Sequence, residues 1–257
     1  MAPMLSQGLL PRRHHGAQTT ERGFVCYNSD MGHLADLLDR IAEQARRGGL
    51  DIDHDPYIEA GRDPYRPVLL GSGTLHSQIG FFGRDPGRTE ARTGEPFVGT
   101  GGQLVRRALW RAAGRHGAPS FEESISVGQT VFWANTVPYK PVGNKAWSMA
   151  VKRRFAPLIQ ELLVDLWEGE HLLTLGNQAF HWFGIADPSL KPALASFWRR
   201  EDRYHASLPV ELAGKKIVLH PLPHPSPLNA RWHGRFPDLL EYRLRALSWN
   251  GGTGGNA

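Results

Sequence analysis

Cysteine is nearly missing from this sequence. Cys26 stands alone, so no intrachain disulfide can close, and an all-cysteine iron–sulfur or structural zinc site is excluded. The lone thiol reads as incidental. No apolar run approaches the length that crosses a bilayer. The opening residues, MAPMLSQGLLPRRHHGAQ, lack a signal peptide's order of charge, long apolar core and small-residue cleavage site. Internal repeats and low-complexity linkers are missing too. These absences predict a single cytoplasmic domain with no membrane partner. At 257 residues, 40% hydrophobic and 21% charged, the chain can bury a real core and has ordinary globular composition.

Charge of one sign is more abundant than the other, with a formal net charge of +5. The distribution matters more than the total. Between 84 and 115 stand seven arginines against three acids, and Lys152, Arg153 and Arg154 form a second basic cluster. A basic face suits a polyanion such as DNA, whose phosphates dominate affinity. Solvated helix faces carry the same signature, and Arg106 and Arg107 are expected on one. His14 and His15, beside Arg12 and Arg13, read as an incidental basic arm.

Residues 1 to about 25 read as a loose arm, 26–250 as the domain, and the terminal GGTGGNA (251–257) as a flexible tail. Apolar residues at helical spacing predict helices over 33–47, after Gly99 over 101–117, over 146–166 and over about 237–249. PVLLGSG (67–73), SQIGFFG (77–83), TVFWANTV (130–137), HLLTLG (171–176) and KKIVLHPLP (215–223) read as strands, and NQAFHWFG as a short helix. Strands alternating with helices predict an α/β fold: three layers, α/β/α, around a mostly parallel sheet of about four strands. Working residues gather at the carboxyl ends of such strands. Asp85, Asn135, Asn177 and His224 each fall there.

One stretch stands apart. GFFGRDPGRTEARTGEPFVGTGG (80–102) places the acid Asp85 on a turn framed by glycine and proline, then makes a second rigid turn at Phe97. Each feature also has a plainer reading. Asp before Pro often serves its own turn, Asn135 could cap its strand, and Phe97 could be a core aromatic. His220 and His224 could be satisfied core histidines, and as zinc ligands they lack a third and fourth partner. GTGGQ (99–103) lacks the Lys–Ser/Thr ending of a phosphate loop.

Taken together, GRDPG, GEPFVGTGG, ANTVPYKP, LGNQAF and HPSPLNARW, in that order over about 80–235, resemble the uracil-DNA glycosylase superfamily. The resemblance implies hydrolysis of the bond between deoxyribose C1′ and uracil N1, releasing free uracil and leaving an abasic site. It implies no metal and no organic cofactor. Asp85 would orient water and stabilise the sugar cation, while His224 would stabilise the departing base at O2. Asn135 would read the base edge and Phe97 would stack on the ring, with Gly83 and Arg84 completing the substrate side. Ser226, Asn177 and Arg231 would contact phosphates, and Leu228 would be the apolar wedge that fills the emptied stack. The implied partner is uracil-containing DNA, single-stranded or duplex, bound by a monomer in the cytoplasm at the nucleoid.

Departures from the family pattern are informative. Family 1 places a tyrosine two residues after the acid, where it blocks the thymine methyl; Gly87 stands here. Families 4 and 5 share that glycine, but family 4 holds a four-cysteine iron–sulfur cluster and family 5 lacks the acid. A related branch traps its product through a histidine in the loop after the Asn strand, and TVPYKPVGNKAW has none. The chain thus combines a family 1-like acid and HPSPL loop with a family 4/5-like body. Two alternatives stay open: a module that holds uracil or abasic DNA with little turnover, and a glycosylase for another deaminated or mismatched base.

Overall fold

The computed structural model describes residues 21–227 and 229–251, with side chains from Met31 onward. Most of the expected arm, most of the tail and Leu228 therefore lie outside the described residues. Five strands form one sheet: β1 (Ile79–Gly83), β2 (Phe132–Asn135), β3 (His171–Leu175), β4 (Leu208–Leu212) and β5 (Lys215–Leu222), in the order β2-β1-β3-β5-β4. All neighbouring pairs are parallel except β4 with β5.

Burial on both faces explains why β1 is the apolar run IGFFG rather than an alternating pattern. Successive side chains point to opposite faces. Phe82 enters a core shared with Phe132 and Leu172, whereas Phe81 enters a second core with Trp133 and Leu173. The first core is covered by helices Glu21–Arg47, Met149–Glu161, Asn177–His181 and Lys191–Trp198, and the second by Thr100–Ala112 and Phe236–Ala246. The result is a three-layer α/β/α arrangement, as the alternation of elements predicts. Fully buried Phe155 and Ile159 anchor the long helix to the sheet, each worth roughly 1.5–3 kcal/mol of burial.

Four expectations need correction. Residues 67–73 are not a strand: Leu70 and Gly71 have φ of 57° and 58°, which turns the chain. The segment instead borrows isolated bonds from the β2 edge, Leu70 N to Trp133 O at 3.1 Å and Thr74 N to Val131 O at 3.1 Å. β4 is an additional fifth strand, closed onto β5 by a turn in which Ala213 and Gly214 both have positive φ. The first helix starts at Glu21, inside the stretch read as an arm, rather than at 33. Arg106 is fully buried rather than solvated.

Candidate active site

β1, β2, β3 and β5 end along one edge of the sheet, and the loops leaving them enclose a cleft of about 720 Å³. Asp85 leaves β1, Asn135 ends β2, Asn177 follows β3 and His224 follows β5; all four line the cleft, with Gly83, Arg84, Phe97 and Ser226. The parallel topology thus brings together residues that stand far apart in sequence. Arg231 is exposed on the short helix Ala230–His233, stacked on Trp232 at 5.2 Å and outside the cleft lining. Leu228, lying outside the described residues, has no position to report.

The Asp85 carboxyl is 4% exposed. Arg84 grips it with both arms of its fork, Nε to Oδ1 at 2.5 Å and Nη2 to Oδ2 at 2.9 Å. The same guanidinium donates to the Asn144 carbonyl at 3.2 Å, which ties the Asp85 turn to the loop after β2. Burial raises the Asp85 pKa above the ordinary carboxylate range, and Arg84 and, more weakly, Lys152 and Lys140 oppose that rise. Arg84 therefore contacts the acid itself rather than standing free to meet a substrate.

His224 faces the acid's side of the cleft on the loop after β5. The residue is exposed, and the cleft walls crowd the ring enough to desolvate it in part. That desolvation, with Arg84 nearby, lowers its pKa and keeps the imidazole neutral. The Ser226 backbone N–H donates to His224 Nδ1 at 3.2 Å. An accepting Nδ1 in a neutral ring leaves the proton on Nε2, which makes Nε2 a donor. Asn229 Nδ2 holds the His224 carbonyl at 3.1 Å and fixes the loop.

Phe97 has a φ of 55°, a strained conformation for a non-glycine residue. Its surroundings hold it there. Buried Arg106 donates to Phe97 O at 2.8 Å, Pro96 O at 2.7 Å and Ser124 O at 2.6 Å, and stacks on Trp133 at 4.9 Å. The Phe97 ring lies 5.0 Å from Trp133 and lines the cleft. Gly83 makes room at the floor: a Cβ there would stand 2.6 Å from Asn135 Oδ1 and 2.7 Å from Phe97 Cζ. Asn135 is 3% exposed and borders the cleft above that glycine.

Glu90 joins the two turns. Its carboxylate accepts from Gly87 N at 3.1 Å and Gly99 N at 2.7 Å, bridging the Asp85 loop to the Phe97 loop. A Cβ at Gly87 would lie 2.7 Å from Glu90 Oε2, so the opening at 87 is coupled to this bridge. Sequence reasoning passed over Glu90, although the Gly87-x-x-Glu90 spacing at a helix start is a capping signal. Lys152 was also missed as an inward group. It is 7% exposed, and its Nζ donates to Gln178 Oε1 at 2.5 Å on the cleft wall. Nothing in a KRR cluster marks which cation turns inward.

Among the described residues no group of three or more His, Cys, Asp or Glu is arranged to hold a metal ion. His220, the other candidate ligand, contacts His171 and Ser207 instead.

The chain is similar to the type-4 uracil-DNA glycosylase of Thermotoga maritima, 33% identical over 78 residues. That alignment covers 30% of this chain and 34% of the relative, so the chain spans about a third of the length of the curated relative it matches. The family model described as Uracil DNA glycosylase superfamily matches residues 70–248, which include both turns, the Asn strand and the His224 loop. The chain belongs to the uracil DNA glycosylase superfamily.

Proposed function

We propose that the protein is a DNA glycosylase that hydrolyses the N-glycosidic bond of uracil in DNA. The observation that carries this reading is a buried carboxylate, Asp85, sharing one cleft with a neutral imidazole, His224, whose Nε2–H is the donor. The activity for which the Thermotoga maritima relative is named supports uracil as the base.

The target base is first extruded from the stack, at a cost of a few kcal/mol. Phe97 offers a ring face and Asn135 a carboxamide to the extruded uracil. As the C1′–N1 bond breaks, its electron pair passes to the base and the sugar becomes cationic. Asp85, held anionic by Arg84, stabilises that cation and accepts a proton from the water that adds to C1′. The charge delocalised onto uracil O2 meets His224 Nε2–H, and one such preorganised donor is typically worth about 3–4 kcal/mol. Asp85 then gives its proton up to solvent and the uracil anion gains one, so the products are free uracil and an abasic site. Ser226 and Asn177 border the cleft where backbone phosphates would lie.

Release of abasic sites from oligonucleotides carrying one uracil, single-stranded or opposite guanine or adenine, tests the reading. Wild-type cleavage that is lost in Asp85→Asn, with DNA binding retained, is the expected result. No cleavage of any uracil substrate would sink it. Two observations keep rival readings in that assay. The Arg84 fork occupies both Asp85 oxygens, which favours a DNA-holding module, and retained binding without turnover in the wild type would support it. Gly87 leaves the pocket wall short, which favours a wider choice of base, and substrates carrying deaminated purines or mismatched thymine read that out.

A further inference from the structure

A second cavity, of about 540 Å³, lies behind the Asn177–Gln178 wall, between helices Met149–Glu161, Asn177–His181 and Lys191–Trp198. It adjoins the candidate active site, since Asn177 and Gln178 line both. Its volume falls in the ordinary range for a small-molecule pocket. The lining divides by chemistry. Ile185, Pro188, Leu194 and Met149 make an apolar floor and side, while every ionisable group present, Lys152, Arg153, His181 and Lys191, is basic.

We propose that this cavity is a subsite for one unpaired nucleotide that neighbours the target on the same DNA strand. Its base would lie on the apolar floor and its phosphate on Lys152, Arg153 and Lys191. Three observations converge on that occupant. An apolar surface rimmed by cations and free of carboxylates fits the two halves of a nucleotide, its base and its phosphate. The two cavities share the Asn177–Gln178 wall, so a strand bound at the active site runs close to the second cavity. Lys152 is buried and its Nζ donates to the neutral Gln178 amide at 2.5 Å, with desolvation lowering its pKa and the Asp85 charge raising it; a phosphate there would add an opposite charge in direct contact. The proposal rests on the reading of the chain as a DNA glycosylase, and it assigns that enzyme a grip on single-stranded DNA.

The test is a binding series with single-stranded oligonucleotides that carry one 2′-fluoro-deoxyuridine, whose glycosidic bond resists cleavage. A base-free spacer is moved through the three positions on either side, and affinity is read by fluorescence anisotropy. In the wild type one position should weaken binding by about tenfold, the order expected for losing one well-placed base. Ala195→Trp fills the cavity from its exposed rim; it should weaken the intact oligonucleotide by a similar factor and abolish the step at that position. Arg153→Ala with Lys191→Ala, both exposed, should lower the slope of log affinity against log salt by about 0.7 for each phosphate no longer neutralised. A flat spacer series, no binding at all, a step that survives in Ala195→Trp with its melting temperature intact, or an unchanged salt slope would each overturn the subsite. Unmodified uracil oligonucleotides are assayed alongside. If the wild type excises nothing, the glycosylase reading fails, while the spacer series still decides the cavity.

Discussion

Asp85 sits between two opposed influences, of which burial is the larger and Arg84 the main counterweight. Burial favours the neutral acid, whereas the bidentate guanidinium favours the anion. The wild-type acid limb of kcat/KM should therefore lie above the ordinary aspartate range, because the carboxyl must be ionised to act and its pKa is raised. Replacing Arg84 by Ala removes the main influence holding that pKa down, so the limb should move to still higher pH and activity near neutrality should fall several-fold or more. Arg84→Lys keeps the charge but not the fork and should fall between the two. A pH–rate profile of all three proteins checks this; a limb that stays put in Arg84→Ala would mean Arg84 acts on something other than Asp85. Asp85, His224 and Asn135 stand out in the sequence because each sits in a short motif at a strand end, and Phe97 because it follows a proline in a rigid turn. The roles of Arg84, Arg106 and Lys152 do not, because each is set by contacts that sequence spacing does not encode. Arg106 reads as one more cation on a helix until the Pro96–Phe97 carbonyls that surround it are in place.

At the level of elements, the six-residue helix Arg88–Thr93 does more than connect. It carries Glu90, and through it the Asp85 turn and the Phe97 turn become one wall. In Glu90→Gln one carboxylate oxygen becomes an NH2 that faces a backbone N–H, leaving that buried donor unsatisfied at about 1–3 kcal/mol. A melting temperature lowered by several degrees is expected, together with a drop in kcat/KM that persists well below the melting range. Thermal denaturation paired with uracil release checks both, and unchanged activity would show that the wall does not need the bridge. The four parallel strands were legible as apolar runs bounded by turns. β4 was not, since Pro209 and an edge position give a weak alternation that only pairing with β5 completes. Residues 67–73 erred the other way: VLL reads as a strand, but positive φ at Leu70 and Gly71 breaks the ladder.

For the whole molecule, the first histidine of the HPLPH segment is expected to weigh on stability in acid. His220 bridges β3 and the approach to β4, with His171 Nδ1 at 3.1 Å from its Nε2 and Ser207 Oγ at 2.9 Å from its Nδ1. Burial, then Arg243 and His171, pushes its pKa down to about 3 from 6.5. Between those values the unfolded chain takes up a proton that the folded one refuses, so stability is fully present above about pH 6.5 and drains away toward pH 3. His181 and His224, also lowered, add to the same trend. Melting temperatures should fall steadily from pH 7 to pH 4, and the fall should be shallower in His220→Asn. An equal slope in both proteins would place the acid sensitivity elsewhere.

The acid leaves the first strand of the sheet and the imidazole leaves the last, so synthesis must run past β5 before both exist. A growing polypeptide on the ribosome, or a fragment nicked anywhere between 86 and 223, owns at most half of the proposed chemistry. Such a half can still carry basic residues and still touch DNA. The proposed excision would then belong to the finished fold alone.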